Sequence, residues 1–213
     1  MGIFDRFKKN TPAPENDSTN LIYELLFCDN IELYRNPTQG NDYPWMILFA
    51  ENPATEDLIR IVNDENAETR VKVLAANILH AKGQTLEPKK LFAVIVEVGL
   101  DEGLDVLASF ADGTARYINY TGRILVWETT DETSNALTSD LFRESTHIVN
   151  KIGPWNQPRK PRPPKGNTRI SFLVSDGLYF GEGPIQVLFN DPMAQPAFTA
   201  ATSLMQYLTS KAV

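Results

Sequence analysis

The 213 residues suffice for one sizeable domain or two small ones, and 42% hydrophobic, 22% charged and 10% aromatic residues make an ordinary globular composition. A formal charge of −7 disfavours nucleic acid as a partner of most of the surface, leaving only the basic residues 151–169 as a candidate for it, and favours cationic partners. Cys28 is the single cysteine, so no internal disulfide forms, and with no secretory leader pattern the expected location is the reducing cytoplasm. The longest apolar runs, 46–50 and 91–96, are too short to span a bilayer.

The first residues, MGIFDRFKK, set Ile3, Phe4 and Phe7 on one helical face with Arg6, Lys8 and Lys9 around it. This is the pattern of a frayed terminus or of a peripheral membrane contact through residues 1–9. The lipidation signal fails, because position 6 is Arg rather than Ser or Thr. Behind it NTPAPENDST has the composition of a tether, so residues 1–18 form a flexible N-terminal segment.

Residues 19–88 read as helical. In STNLIYELLFCD the residues Leu21, Ile22, Leu25 and Leu26 share a face that ends at Cys28. YPWMILFAEN, bracketed by Pro44 and Pro53, fits a helical turn better than a strand. Two helices follow with a break at NDEN: Leu58, Ile61 and Val62 line the first, and Val71, Leu74, Ala75, Ile78 and Leu79 the second, with Gly83 as terminator. LIRIVNDENAETRVKVLAANILHAKG, with its acidic turn, Arg70 and Val71, then Ala75 and Ala76 before Ile78 and Leu79, resembles a single HEAT-type helical pair at about 53–83. The resemblance implies a local helical hairpin and a role in protein contacts. No second copy follows, so it implies no solenoid.

From Leu91 the period changes. LFAVIVEV suits a central strand, and GLDVLASF alternates Leu104, Val106, Ala108 and Phe110 on one face. The hairpin dipeptide Asp112–Gly113, then ARYIN, a turn at Gly122 and ILVWE complete an antiparallel four-strand meander. A helix carrying Leu137, Leu141, Phe142, Ile148, Val149 and Ile152 follows, then the strand RISFLVS. DGLYFGEGP reads as a Gly-rich bend, and IQVLFND as a strand or one helical turn after Pro184. A last helix, at about 196–210, packs on the sheet through Phe198, Ala201, Leu204, Met205 and Leu208. The fold class is α+β: a helical N-terminal part, then an antiparallel β-meander sheet with helices packed on one face. Residues 89–213 form the sheet domain, separate from or continuous with 19–88.

Few residues suggest chemistry. His80 falls opposite the apolar stripe of its helix, and His147, three residues after Glu144, is opposite the stripe of Leu141, Ile148 and Ile152. A single Glu-x-x-His does not make a di-metal bundle site, so no metal and no cofactor is expected. Cys28, closing an apolar face beside Asp29, is expected to be an inert thiol. Nucleophile-elbow, phosphate-loop and zincin signatures are absent. In the stretch 175–184 the carboxylates Asp176 and Glu182 flank Tyr179 among Gly177, Gly181 and Gly183. They form either two exposed turns or, with Trp155 and Arg169, an acid–base or ligand site.

The other unusual segment is PWNQPRKPRPPKGN, residues 154–167. From Ser145 to Ser175 the chain has no acid and six bases, Lys151, Arg159, Lys160, Arg162, Lys165 and Arg169. Its prolines favour extended backbone. Four uses are open: a connector, an anionic-partner arm with Trp155 for stacking, a Pro-x-x-Pro ligand, or a cationic loop docked on the acidic body of its own or a second copy. The whole points to a cytoplasmic, non-enzymatic protein-binding module of bacterial type, an adaptor or a toxin-neutralising, immunity-like protein. The alternative is a ligand-binding protein or enzyme using the carboxylates of 175–184. Binding residues are sought at Trp155, Arg159, Lys160, Arg162, Lys165, Asp176, Tyr179 and Glu182, and the partner expected is another protein.

Overall fold

The computed structural model describes residues 17–35 and 42–211; the segment 1–9 and most of the tether behind it lie outside them. A six-stranded antiparallel sheet runs through the molecule in the order β4-β3-β2-β1-β5-β6. Its strands are β1 (Leu91–Gly99), β2 (Leu104–Phe110), β3 (Ala115–Ile118), β4 (Ile124–Trp127), β5 (Asn167–Val174) and β6 (Gly177–Pro184). The first four form the expected meander, and β1 joins it to the C-terminal hairpin through β5.

Helices cover both faces of this sheet rather than one. On one face lie α1 (Asp17–Leu25), a 3-10 turn (Ile31–Tyr34), α2 (Trp45–Leu48), α3 (Thr55–Asn63) and α4 (Thr69–Ala81). Their Tyr23, Phe27, Leu58, Ile61, Leu74 and Leu79 share a core with Phe92, Ile95, Val106, Ala108, Phe110 and Leu173 of the sheet. The helical region and the sheet are therefore built around one continuous core. On the other face α5 (Glu132–Val149) and α7 (Gln195–Lys211) pack on Val94, Val96, Leu107, Ile170 and Phe172, with the short α6 (Ile185–Leu188) beside them. None of the described helices is long and apolar enough to cross a membrane.

The unbroken apolar run of β1 follows from that double cover. Its residues alternate between layers, Val94 and Val96 to one and Ile95 to the other, so neither set can be polar. A register slip between Leu91 and Ala93 against β5 puts Phe92 and Ala93 in the same layer, the usual effect of a bulge. YPWMILFAEN forms the helical turn α2 between its prolines, and IQVLFND the helical turn α6.

The Gly-rich bend is corrected to a strand. DGLYFGEGP pairs residue for residue with β5, from Val174↔Gly177 to Asn167↔Pro184, and only Ser175 and Asp176 form the connecting turn. Glycine conceals the alternation here, because Gly177, Gly181 and Gly183 contribute no side chain to either face.

Asp112, in the β2–β3 turn, ties the sheet to α4. Its carboxylate accepts the Thr69 backbone N–H (2.8 Å), and the Thr69 hydroxyl accepts the Asp112 N–H (3.1 Å). One orphan donor at the start of α4 is thereby satisfied from outside the helix. Asp112→Ala is expected to lower unfolding stability by about 1–2 kcal/mol, read as a reduced urea midpoint at constant slope.

Candidate functional site

Between α5 and β5 the chain makes a strap, residues 154–166, that docks on its own acidic body. The Trp155 N–H donates to the Leu178 carbonyl of edge strand β6 (2.7 Å), and the Trp155 ring meets Phe180 edge-on at 5.2 Å. Arg159 then reaches α1: its guanidinium pairs with Glu24, donates to Asp29 (2.7 Å) and lies 3.9 Å above the Phe27 ring. Burial works against its charge, but the two carboxylates outweigh it and hold Arg159 firmly protonated. Arg162 lies 4.2 Å over the Tyr23 ring and donates to Asn20 (2.9 Å). Lys165 meets Asp101 at 2.6 Å, with both side chains largely exposed.

Proline suits this path for a physical reason. A strap crossing a sheet face joins no ladder, so each of its N–H groups needs some other partner. Five prolines, at 154, 158, 161, 163 and 164, remove five donors and leave carbonyls available. Trp155 Nε1 donates to the Pro158 carbonyl (3.0 Å) and the Asn167 N–H to that of Pro164 (3.0 Å). The strap lies so close to β1 that a Cβ on Gly99 would run into the carbonyls of Pro163 and Pro164.

Beneath the strap sits a buried charge cluster. Glu97 of β1, Arg169 of β5 and Glu182 of β6 are cross-strand neighbours. Glu97 is 0% and Arg169 2% exposed. Arg169 donates to Glu182 through Nε (2.8 Å), lies 3.5 Å from Glu97 Oε2, and donates to the strap carbonyls of Lys160 (3.2 Å) and Pro161 (2.5 Å). The Tyr23 hydroxyl donates to Glu97 Oε1 (2.7 Å). Burial pushes the Glu97 carboxyl above its ordinary range, against the pull of Arg169 and the Tyr23 hydrogen bond.

The candidate residues thus fall into separate groups. Trp155, Arg159, Lys160, Arg162 and Lys165 belong to the strap, with Lys160 Nζ 5.4 Å from the Trp155 ring centre and 5.2 Å from that of Phe180. Glu182 belongs to the Arg169 cluster. Asp176 and Tyr179 form a third group with Lys89: Lys89 donates to the Tyr179 hydroxyl (2.7 Å), which donates to Asp176 Oδ2 (2.8 Å). The Tyr179 ring is buried in the α5–α7 layer, whereas Glu182 shares the opposite face with Glu97. Asp176 and Glu182 therefore do not converge on one acid–base centre.

Cys28 is 1% exposed at φ 51°, and burial pushes its thiol up to about 12. His80 and His147 are exposed. Among the described residues no group of three or more His, Cys, Asp or Glu side chains is arranged to hold a metal ion.

Sequence reasoning missed two features. Glu97 is the one charge in an apolar central strand, a pattern that itself demands a buried partner. The second is an open cleft of about 630 Å³ between the 3-10 turn, α2 and the α3–α4 connection, lined in part by Tyr34, Tyr43, Trp45, Asp64, Ala67 and Glu68. Its aromatics come from segments that read merely as helix.

The strap contacts differ in worth. Arg159→Ala, removing a largely buried, doubly paired and ring-stacked cation, is expected to cost about 1–3 kcal/mol. Lys165→Ala is expected to stay within about 0.5 kcal/mol, since its pair is solvated. Both are read by denaturant unfolding. For Glu97, a folded value raised above the unfolded 4.5 means that its stabilisation is complete below that pH and is lost as pH rises through the folded value. The stability of the wild type relative to Glu97→Gln should accordingly fall as pH is raised from about 4 to 8. Arg169→Met, which leaves Glu97 and Glu182 facing each other without a cation, should cost about 3–5 kcal/mol at neutral pH and less in acid.

No protein-family model matches the chain, and no curated protein matches it.

Proposed function

We propose that the protein is a non-enzymatic protein-binding module whose partner is a basic protein; in its most concrete version it neutralises a basic toxin or nuclease. The observation that carries this is the character of α2, α3 and their flanks. Residues 42–72 hold seven acids and three bases, a net −4 out of the chain's −7. The same stretch exposes three large apolar side chains, Tyr43 (43%), Met46 (56%) and Ile59 (37%). Tyr43 of the α2 flank reaches α3, donating to Asp64 (2.8 Å) and lying under Arg60. Exposed apolar side chains set in a field of one sign suit an interface core with an electrostatic rim. The acidic field would also speed encounter with a cationic partner.

Two of the strap's cations support the same direction: Arg159 faces Glu24 and Asp29, and Lys165 faces Asp101, which argues against a free arm for an anionic partner.

Affinity capture from the native cell, wild type beside a Met46→Ser/Ile59→Ser double variant and a Val187→Ser control, tests the proposal. A stoichiometric basic protein held by wild type and control, lost by the double variant and weakened by salt, is the expected result. Identical proteins on all three would overturn it. So would turnover of a metabolite abolished by Asp176→Ala or Glu182→Ala, which would establish the enzymatic alternative.

A further inference from the structure

The cleft beside α2 has three properties that specify an occupant. Its wall is aromatic: Tyr34 stacks on Trp45 at 6.1 Å, and Tyr43 lines the cleft with them. Its own cations are engaged: Arg35 donates to Glu32 through two nitrogens (2.9 and 3.1 Å), and Arg70 pairs with Glu68 at 2.9 Å.

Its carboxylates keep acceptor capacity. Among the described residues, Asp64 Oδ2 accepts the Tyr43 hydroxyl and Oδ1 the Asn66 N–H, and each oxygen of an ionised carboxylate can take two. Those hydrogen bonds hold the Asp64 carboxyl below the usual range, so it is ionised at neutral pH. Glu68 is 65% exposed at the side chain. An ionised carboxylate with spare lone pairs beside an aromatic wall is a receptor for an ammonium or guanidinium group.

We propose that this cleft anchors the interface by taking a lysine or arginine side chain from a cationic segment of the partner protein. The stem of that side chain lies along Trp45 and Leu33, and its charge is held between Asp64 and Glu68. This rests on the protein-binding reading and adds the residues that read the partner. The volume of about 630 Å³ exceeds a single side chain and leaves room for the backbone beside it. The net −4 of residues 42–72 is the complementary field for the rest of a basic segment. Half-buried Ala67 in the lining keeps the space open, and a larger residue there fills it.

The test titrates the full chain with a short peptide alternating lysine and leucine, beside its glutamate–leucine counterpart, and reads labelled-peptide anisotropy and amide shifts. The lysine peptide should bind, shift Tyr43, Trp45 and Ala67, and weaken with salt; the glutamate peptide should not bind. Ala67→Phe should weaken binding at least about tenfold, the effect of obstructing a central anchor. Asp64→Asn/Glu68→Gln, which removes both charges while keeping the side-chain shapes and an acceptor oxygen in each, should do the same and stands in if Ala67→Phe unfolds. Val187→Asp, on α6, should change nothing.

Equal binding by wild type and the cleft variants would overturn the proposal, as would equal binding of both peptides or shifts confined to the strap. A concentration-dependent dimer lost in Ala67→Phe would make the occupant a second copy and equally overturn it. A captured basic partner that Ala67→Phe still retains would remove the cleft and leave the protein-binding reading standing. Cleft-dependent peptide binding with no partner captured would do the reverse.

Discussion

A guanidinium that has left water sets the terms for one half of this molecule. Arg169 is almost fully buried on the central sheet, where an unpaired charge would cost several kcal/mol. Its surroundings answer that cost with Glu97 and Glu182 from the strands on either side, and with carbonyls of Lys160 and Pro161 from above. The carbonyls come from an extended segment lying over the sheet, whereas all but the last four carbonyls of a helix are taken up in its own ladder. This accounts for an extended, proline-rich cover over β5 and β6, where the first layer of helices gives way to the strap. Tyr23 closes the arrangement from α1 by donating to Glu97, so the first helix is positioned by the same charge.

How far this was legible in the sequence varied with the range of the interaction. The meander was readable because its information is local: Asp112–Gly113 and Gly122 mark turns, and the apolar alternation between them fixes which residues face inward. β6 was not readable. Three of its eight residues are glycine, so it has no alternation to detect, and its one fully buried side chain, Tyr179, packs into the α5–α7 layer. The second helical layer escaped for a related reason: the helical stripes of 19–88 look the same whether they pack on one another or on a sheet. β1 held the missing clue, since an uninterrupted apolar strand implies cover on both faces.

For the candidate site, composition revealed the strap as anomalous, and charge balance allowed that it docks on its own chain. The docking points could not be read, because Arg159 meets Glu24 across 135 residues and Asp29 across 130. The carboxylate pair of 175–184 failed through strand geometry. Glu182 faces one layer and the Tyr179 partner of Asp176 the other, so closeness in sequence does not become closeness in chemistry. The aromatic cleft was hidden because its lining is gathered from four segments, each unremarkable alone.

The strap and the charge cluster beneath it also bear on the order in which the chain can be completed. Tyr23 and Asn20, in the first described helix, wait for Glu97 and then for Arg162, 74 and 142 positions further on. Contacts of such separation form late and slow the search, because long loops must close before any gain is realised. During synthesis, therefore, α1 emerges long before its anchor exists, and the cover that Arg159 and Arg162 give to Phe27 and Tyr23 is missing until the last third of the polypeptide arrives. The acidic residues Glu24 and Asp29 beside those rings then have a second use: like-charge repulsion keeps nascent copies apart while their aromatic surface is bare.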